Sequence, residues 1–158
     1  MPLNAIDLVP RQLKTTIPQL MTLNDITAPY GLALTQADAA LLLATRDSAL
    51  KSTGRLEFGS GIIDKMIEAF YDSPYLMASE YVETLTDLID AFYYFKNELH
   101  DRMGDDALIA FMRRAYDDPC NGAVTLLTDL ILPSLASALD QGMPFPRAAK
   151  YALSEVEK

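Results

Sequence analysis

Between Ser79 and Asp101 the hydrophobic positions recur at steps of four and three. Tyr81, Leu85, Leu88, Phe92, Phe95 and Leu99 fall on one helical face. Val82, Ile89 and Tyr93 widen that face to an arc of roughly 160°, broader than the seam between two helices requires. Glu83, Asp87, Asp90, Glu98 and Asp101 fall opposite. Ser79 is placed to cap the start, with Glu80 and Glu83 in the first turn, where the helix dipole favours negative charge. The pattern predicts a long central helix over 79–101, with the rest of the chain packed around it.

The flanking stretches repeat the helical signature in shorter form. Thr35 with Asp38 reads as a capping box, opening a helix through Leu41, Leu42, Leu43 and Leu50 that stops at Gly54. Ser60 caps a second helix bearing Ile62, Ile63, Met66, Ile67 and Phe70, which Asp72-Ser73-Pro74 ends. Past Gly104, Asp105 or Asp106 caps a helix with Leu108, Ile109, Phe111, Met112, Ala115 and Tyr116. Another starts at Asn121 or Gly122, is kinked or split by Pro133, and ends near Gly142. A last short helix spans Arg147 to Val156. No alternating strand pattern and no internal repeat occurs. The expected fold is all-α: a single-domain helical bundle of about five to seven helices.

Residues 1–34 break the pattern. Four prolines punctuate them, yet Leu3, Ile6, Leu8, Val9, Leu13, Ile17, Leu20, Met21, Leu23 and Ile26 make the stretch too apolar for a free tail. It reads as an N-terminal arm, either laid over the helical domain of residues 35–158 or exchanged with a second subunit.

Composition narrows the function classes. Of 158 residues, 13 are basic and 22 acidic, for a net charge of −9. That balance argues against nucleic acid as a partner. No apolar run is long enough to span a membrane, and the start lacks a signal-peptide pattern, so a cytoplasmic protein is the expectation. Cys120 is the one cysteine, which leaves neither an intrachain disulfide nor a cysteine zinc site.

A set of short motifs keeps a fixed order along the chain: Tyr30-Gly-Leu-Ala-Leu-Thr35, Thr53-Gly-Arg-Leu-Glu-Phe-Gly59, Ala69-Phe-Tyr-Asp-Ser-Pro-Tyr75, Phe92-Tyr-Tyr-Phe-Lys-Asn-Glu98, Asp106-Ala-Leu-Ile with Phe111-Met112, and Cys120-Asn-Gly122. Over residues 30–130 they resemble a family of small proteins of anaerobic Firmicutes (Clostridia), catalogued as a domain of unknown function. The resemblance supports the structural class and implies no chemistry.

Two candidate sites stand out from the residues themselves. On the central helix, Tyr94 falls among the acids, so Tyr93, Tyr94, Asp87, Asp90 and Glu98 form a candidate aromatic–acidic surface for a protein partner or a second copy of the chain. Near Gly54, two glycines stand at the phosphate-loop separation. However, Ser60 occupies the place that motif reserves for lysine, Gly61 that of serine or threonine, and a helix precedes the loop. Arg55, Gly59, Ser60 and Gly61 remain a candidate anion site at a helix start. The acids lack the Glu-x-x-His pairs of a di-iron bundle, and Asp101, Asp105 and Asp106 do not follow a calcium loop, so no metal or cofactor is assigned. His100 has no nucleophile placed beside it, and Cys120 reads as a buried, inert thiol, so no catalytic residue is assigned. The expected function is a non-enzymatic helical interaction module; the alternative is a small-ligand or anion-binding regulatory domain.

Overall fold

The computed structural model describes residues 16–57 and 61–157, and every regular element among them is helical. The chain divides into two units, residues 1–90 and 91–158.

The first unit begins with two short helices, α1 (Ile17–Met21) and α2 (Asn24–Thr27), and a 3-10 turn over Ala28–Tyr30. Helices this short do not persist on propensity alone. Side chains hold them. The Asn24 amide brackets the backbone of Leu34, donating to its carbonyl at 2.9 Å and accepting from its N–H at 2.8 Å. The Thr27 hydroxyl donates to the Leu32 carbonyl at 2.7 Å. The return of the chain leaves Ile17, Leu20, Leu23, Leu32 and Leu34 buried, and α1 packs against the next long helix. Residues 1–15 of the predicted arm lie outside the described residues.

That long helix, α3 (Gln36–Thr53), starts and stops where its residues predict. The Thr35 hydroxyl accepts from the Asp38 amide at 3.0 Å, and the Asp38 carboxylate accepts from the Thr35 amide at 2.9 Å. Such a cap contributes about 1 kcal/mol. Gly54 takes the left-handed conformation (φ 70°) that closes the C-terminus and that a β-carbon would disfavour. Helix α4 (Ile62–Phe70) follows Gly61 and buries Ile62, Ile63, Met66, Ile67 and Phe70. Each such side chain is worth about 1.5–3 kcal/mol. Ser60, the expected cap, lies outside the described residues.

The long central helix is shorter than its periodicity implies. Ala78–Glu80, including Ser79, forms a 3-10 turn, and α5 runs over Tyr81–Glu98. His100 and Asp101 end it in left-handed geometry (φ 53° and 58°), with the Asp101 amide donating to the Lys96 carbonyl at 3.1 Å. This wrap satisfies a terminal carbonyl without glycine, a conformation that non-glycine residues adopt uncommonly. The unit boundary at Asp90 falls inside α5.

In the second unit, α6 (Asp105–Asp117) follows Gly104, so Asp105 and Asp106 occupy its first turn instead of capping it. The next helical path starts at Val124, past the predicted Asn121 or Gly122. It runs without a break through α7 (Val124–Leu126), a π turn (Leu127–Ile131) and α8 (Leu132–Asp140). The expected kink at Pro133 is resolved here: the Leu132 amide reaches back five residues to the Leu127 carbonyl. The wider turn precedes a proline that has no N–H and whose ring would crowd an α-helical carbonyl. Helix α9 (Phe145–Ser154) packs on α8 and buries Ala148 and Ala152. Arg102 ties the end of α8, donating to the Leu139 carbonyl at 2.8 Å and to the Asp140 carboxylate, while its Nε holds the Leu99 carbonyl at 2.7 Å. Among the described residues no helix is long and apolar enough to cross a membrane.

Candidate functional site

Helix α5 buries Tyr81, Leu85, Leu88, Ile89, Phe92, Phe95 and the following Leu99, as the apolar arc requires. What it leaves outside is a stripe. Glu83, Asp87, Asp90, Tyr94 and Glu98 are all exposed, and at 100° per residue they share an arc of roughly 80°. The Tyr94 ring is 56% exposed and stands edge-on to Phe95, 4.9 Å between centroids. Tyr93 does not belong to this surface. It is 1% exposed and packs edge-on to Phe92 at 5.0 Å, because one residue along the helix rotates its side chain by about 100° into the core. The assignment of Tyr93 as a partner contact is corrected accordingly.

The stripe is electrostatically unbalanced. Partial burial, then the charge of Glu83, raises the pKa of the Asp87 carboxyl. Partial burial, then the charge of Asp87, does the same for Asp90. Elsewhere, acids pair with bases: Asp47 with Lys51, Asp105 with Lys96, Asp117 with Arg113, Asp118 with Arg114 and Asp140 with Arg102. Among the described residues, Glu83, Asp87, Asp90 and Glu98 have no such partner.

The second candidate site is less developed. Gly59 and Ser60 lie outside the described residues. Arg55 is half-buried and its amide donates to the Leu50 carbonyl at 2.9 Å. Gly61 precedes α4 in a positive-φ geometry (φ 46°, ψ −118°) that glycine accepts and other residues rarely adopt. The first turn of α4 already carries Asp64, whose negative charge occupies the favourable end of the helix dipole and opposes a further anion.

His100 is exposed in the left-handed turn, and Cys120 is buried, with desolvation raising its thiol pKa to about 11. Burial thus holds the thiol protonated at neutral pH, as in a packed structural cysteine. Among the described residues no group of three or more His, Cys, Asp or Glu could hold a metal ion.

Two buried cations went unnoticed in the residue pattern. Lys96 is 8% exposed, with Nζ 2.9 Å from Asp105 Oδ1 and 2.5 Å from the Met103 carbonyl. Arg46 is 1% exposed, and among the described residues its Nε and Nη1 atoms have no hydrogen-bond partner. A sequence signal existed for Arg46: it follows Leu42 by four residues and precedes Leu50 by four, so it must share their helical face.

No curated protein matches the chain, and no solved structure does. A family model does match, over residues 19–144, which takes in every element from α2 through α8. The chain therefore belongs to the family of unknown function DUF6323, and every regular element among the described residues of the matched stretch is helical.

Proposed function

We propose that this protein is a non-enzymatic, cytoplasmic interaction module of anaerobic Firmicutes, which docks a basic protein partner, or a basic face of a second copy, through the outer stripe of α5. One observation carries the reading: Tyr94 is exposed within a run of acids that lack cationic partners among the described residues, whereas Asp47, Asp105, Asp117, Asp118 and Asp140 have them. The Asp87 and Asp90 carboxyls are raised by partial burial and then by like-charge repulsion; a cationic side chain placed there relieves the repulsive part, and a tyrosine ring supplies rigid amphipathic contact area. Rim charges of this kind act mainly on association rate and salt dependence.

The test is a pull-down from the host lysate combined with light scattering on the purified chain. Tyr94→Ala is expected to weaken the stoichiometric complex, or the homodimer, by roughly tenfold or more. An Asp87→Lys, Asp90→Lys double variant should abolish it, and raising the salt concentration should weaken the wild-type complex. If both variants retain every partner and the same mass, α5 is not the docking surface.

A further inference from the structure

Arg46 lies in the middle of α3, flanked at helical spacing by the buried residues Leu42, Leu43, Ala49 and Leu50. Its Nε and Nη1 atoms are sealed from solvent and have no hydrogen-bond partner among the described residues. A guanidinium does not shed its proton in a protein, so it cannot escape burial by becoming neutral, as a lysine or histidine can. An unpaired buried cation is among the costliest groups a fold can hold. If this position required bulk alone, leucine or methionine would fill it without that cost. Lys96 shows the same chain satisfying a buried cation with a carboxylate and a carbonyl.

From these orphaned donors we infer that Arg46 anchors an internal site for a small-molecule oxyanion, a phosphate or carboxylate group. The guanidinium presents rigid, planar N–H donors that match the oxygens of either group, and the low-dielectric surroundings strengthen each bond. Because both donor atoms are sealed, the anion enters through local opening of the first unit. Helix α1 packs on α3 and has only five residues, which places it at the low-stability end from which such openings are drawn. An anion that binds the folded chain and not the unfolded one links the stability of this unit to ligand concentration. The site is separate from the α5 stripe and from Arg55, so its fate does not decide theirs.

The experiment is thermal unfolding of the full chain in sodium phosphate, sodium acetate and sodium chloride at matched ionic strength, with wild type, Arg46→Met and Arg55→Ala. Wild type and Arg55→Ala should show a midpoint that climbs with the logarithm of oxyanion concentration above the chloride reference. Whichever salt shifts it further identifies the group as phosphate or carboxylate. Arg46→Met should give one midpoint in all three salts. Equal wild-type midpoints in the three salts, or an undiminished response in Arg46→Met, overturns the site. Should Arg46→Met fail to fold, amide hydrogen exchange on wild type decides. Slowed exchange in α1 and α3 in the effective oxyanion upholds the site, and exchange unchanged from chloride overturns it.

Discussion

Among the described residues each unit of this chain buries one cation, and the two are treated in opposite ways. In the second unit, Lys96 reaches a carboxylate and a carbonyl, so its desolvation is offset by directed bonds. In the first, Arg46 is more deeply buried and two of its nitrogens face no acceptor. The residue types sharpen the contrast. Lysine, the cation that can neutralise, has the partners; arginine, which cannot, lacks them. A charged group inside a helical core is therefore not one kind of feature. It is either a bolt between elements or a standing demand for something more.

Replacement of each cation by methionine breaks or sharpens that distinction most directly. Lys96→Met leaves the Met103 carbonyl and the half-exposed Asp105 without their donor and should cost about 1–2 kcal/mol, read as a lower urea midpoint at unchanged slope. Arg46→Met should move the other way, with a gain of about 1–2 kcal/mol in chloride buffer; a loss of similar size would mean that the guanidinium has a partner and would erase the contrast. Polar burial in the first unit can also be satisfied, as Thr27 and Tyr81 show. The Tyr81 phenol is pushed up to about 12 by burial, against a smaller opposing effect of its hydrogen bond with Thr27. Its stabilising contribution is complete below the unfolded value of about 10 and lost as pH rises through about 12. Thr27→Val removes the bonds to both Tyr81 and the Leu32 carbonyl and should cost about 1 kcal/mol, measured in the same urea titration. The smallest effect belongs to the outer stripe. Asp90 has its carboxyl raised by burial and by Asp87, so its charge opposes folding above that raised pKa, and the penalty vanishes as pH falls through it. Asp90→Asn should gain about 0.3 kcal/mol at neutral pH and nothing once the wild-type carboxyl is protonated.

The helical class and most element positions were legible because they rest on local rules. The Thr35–Asp38 box, the Gly54 stop and the apolar steps of α4 and α5 each depend on residues within a few positions of one another. Tyr94 was legible for the same reason, as a helical wheel places it outside. Tyr93 lies at the edge of the arc, where a few tens of degrees decide between core and solvent; its burial fits the apolar face and removes it from the aromatic–acidic surface. The buried cations were harder. Lys96 depends on Asp105, nine residues away across a turn closed by two left-handed residues, and nothing in the local pattern announces that turn. Asn24 gripping Leu34 is a similar case, a tie between the two ends of a loop that composition alone describes as an apolar arm.

The π turn over Leu127–Ile131 has a consequence for how this segment tolerates changes in length. A π turn holds one residue more than an α turn over the same axial distance. Deleting one residue between 127 and 131 would let the path return to α-helical register, with Leu127 and the residues of α8 still facing the same way. A one-residue deletion inside α6 has no such slack, and would rotate everything after it by about 100°. Single-residue gaps that this chain survives should therefore concentrate before Pro133 and be absent from α6.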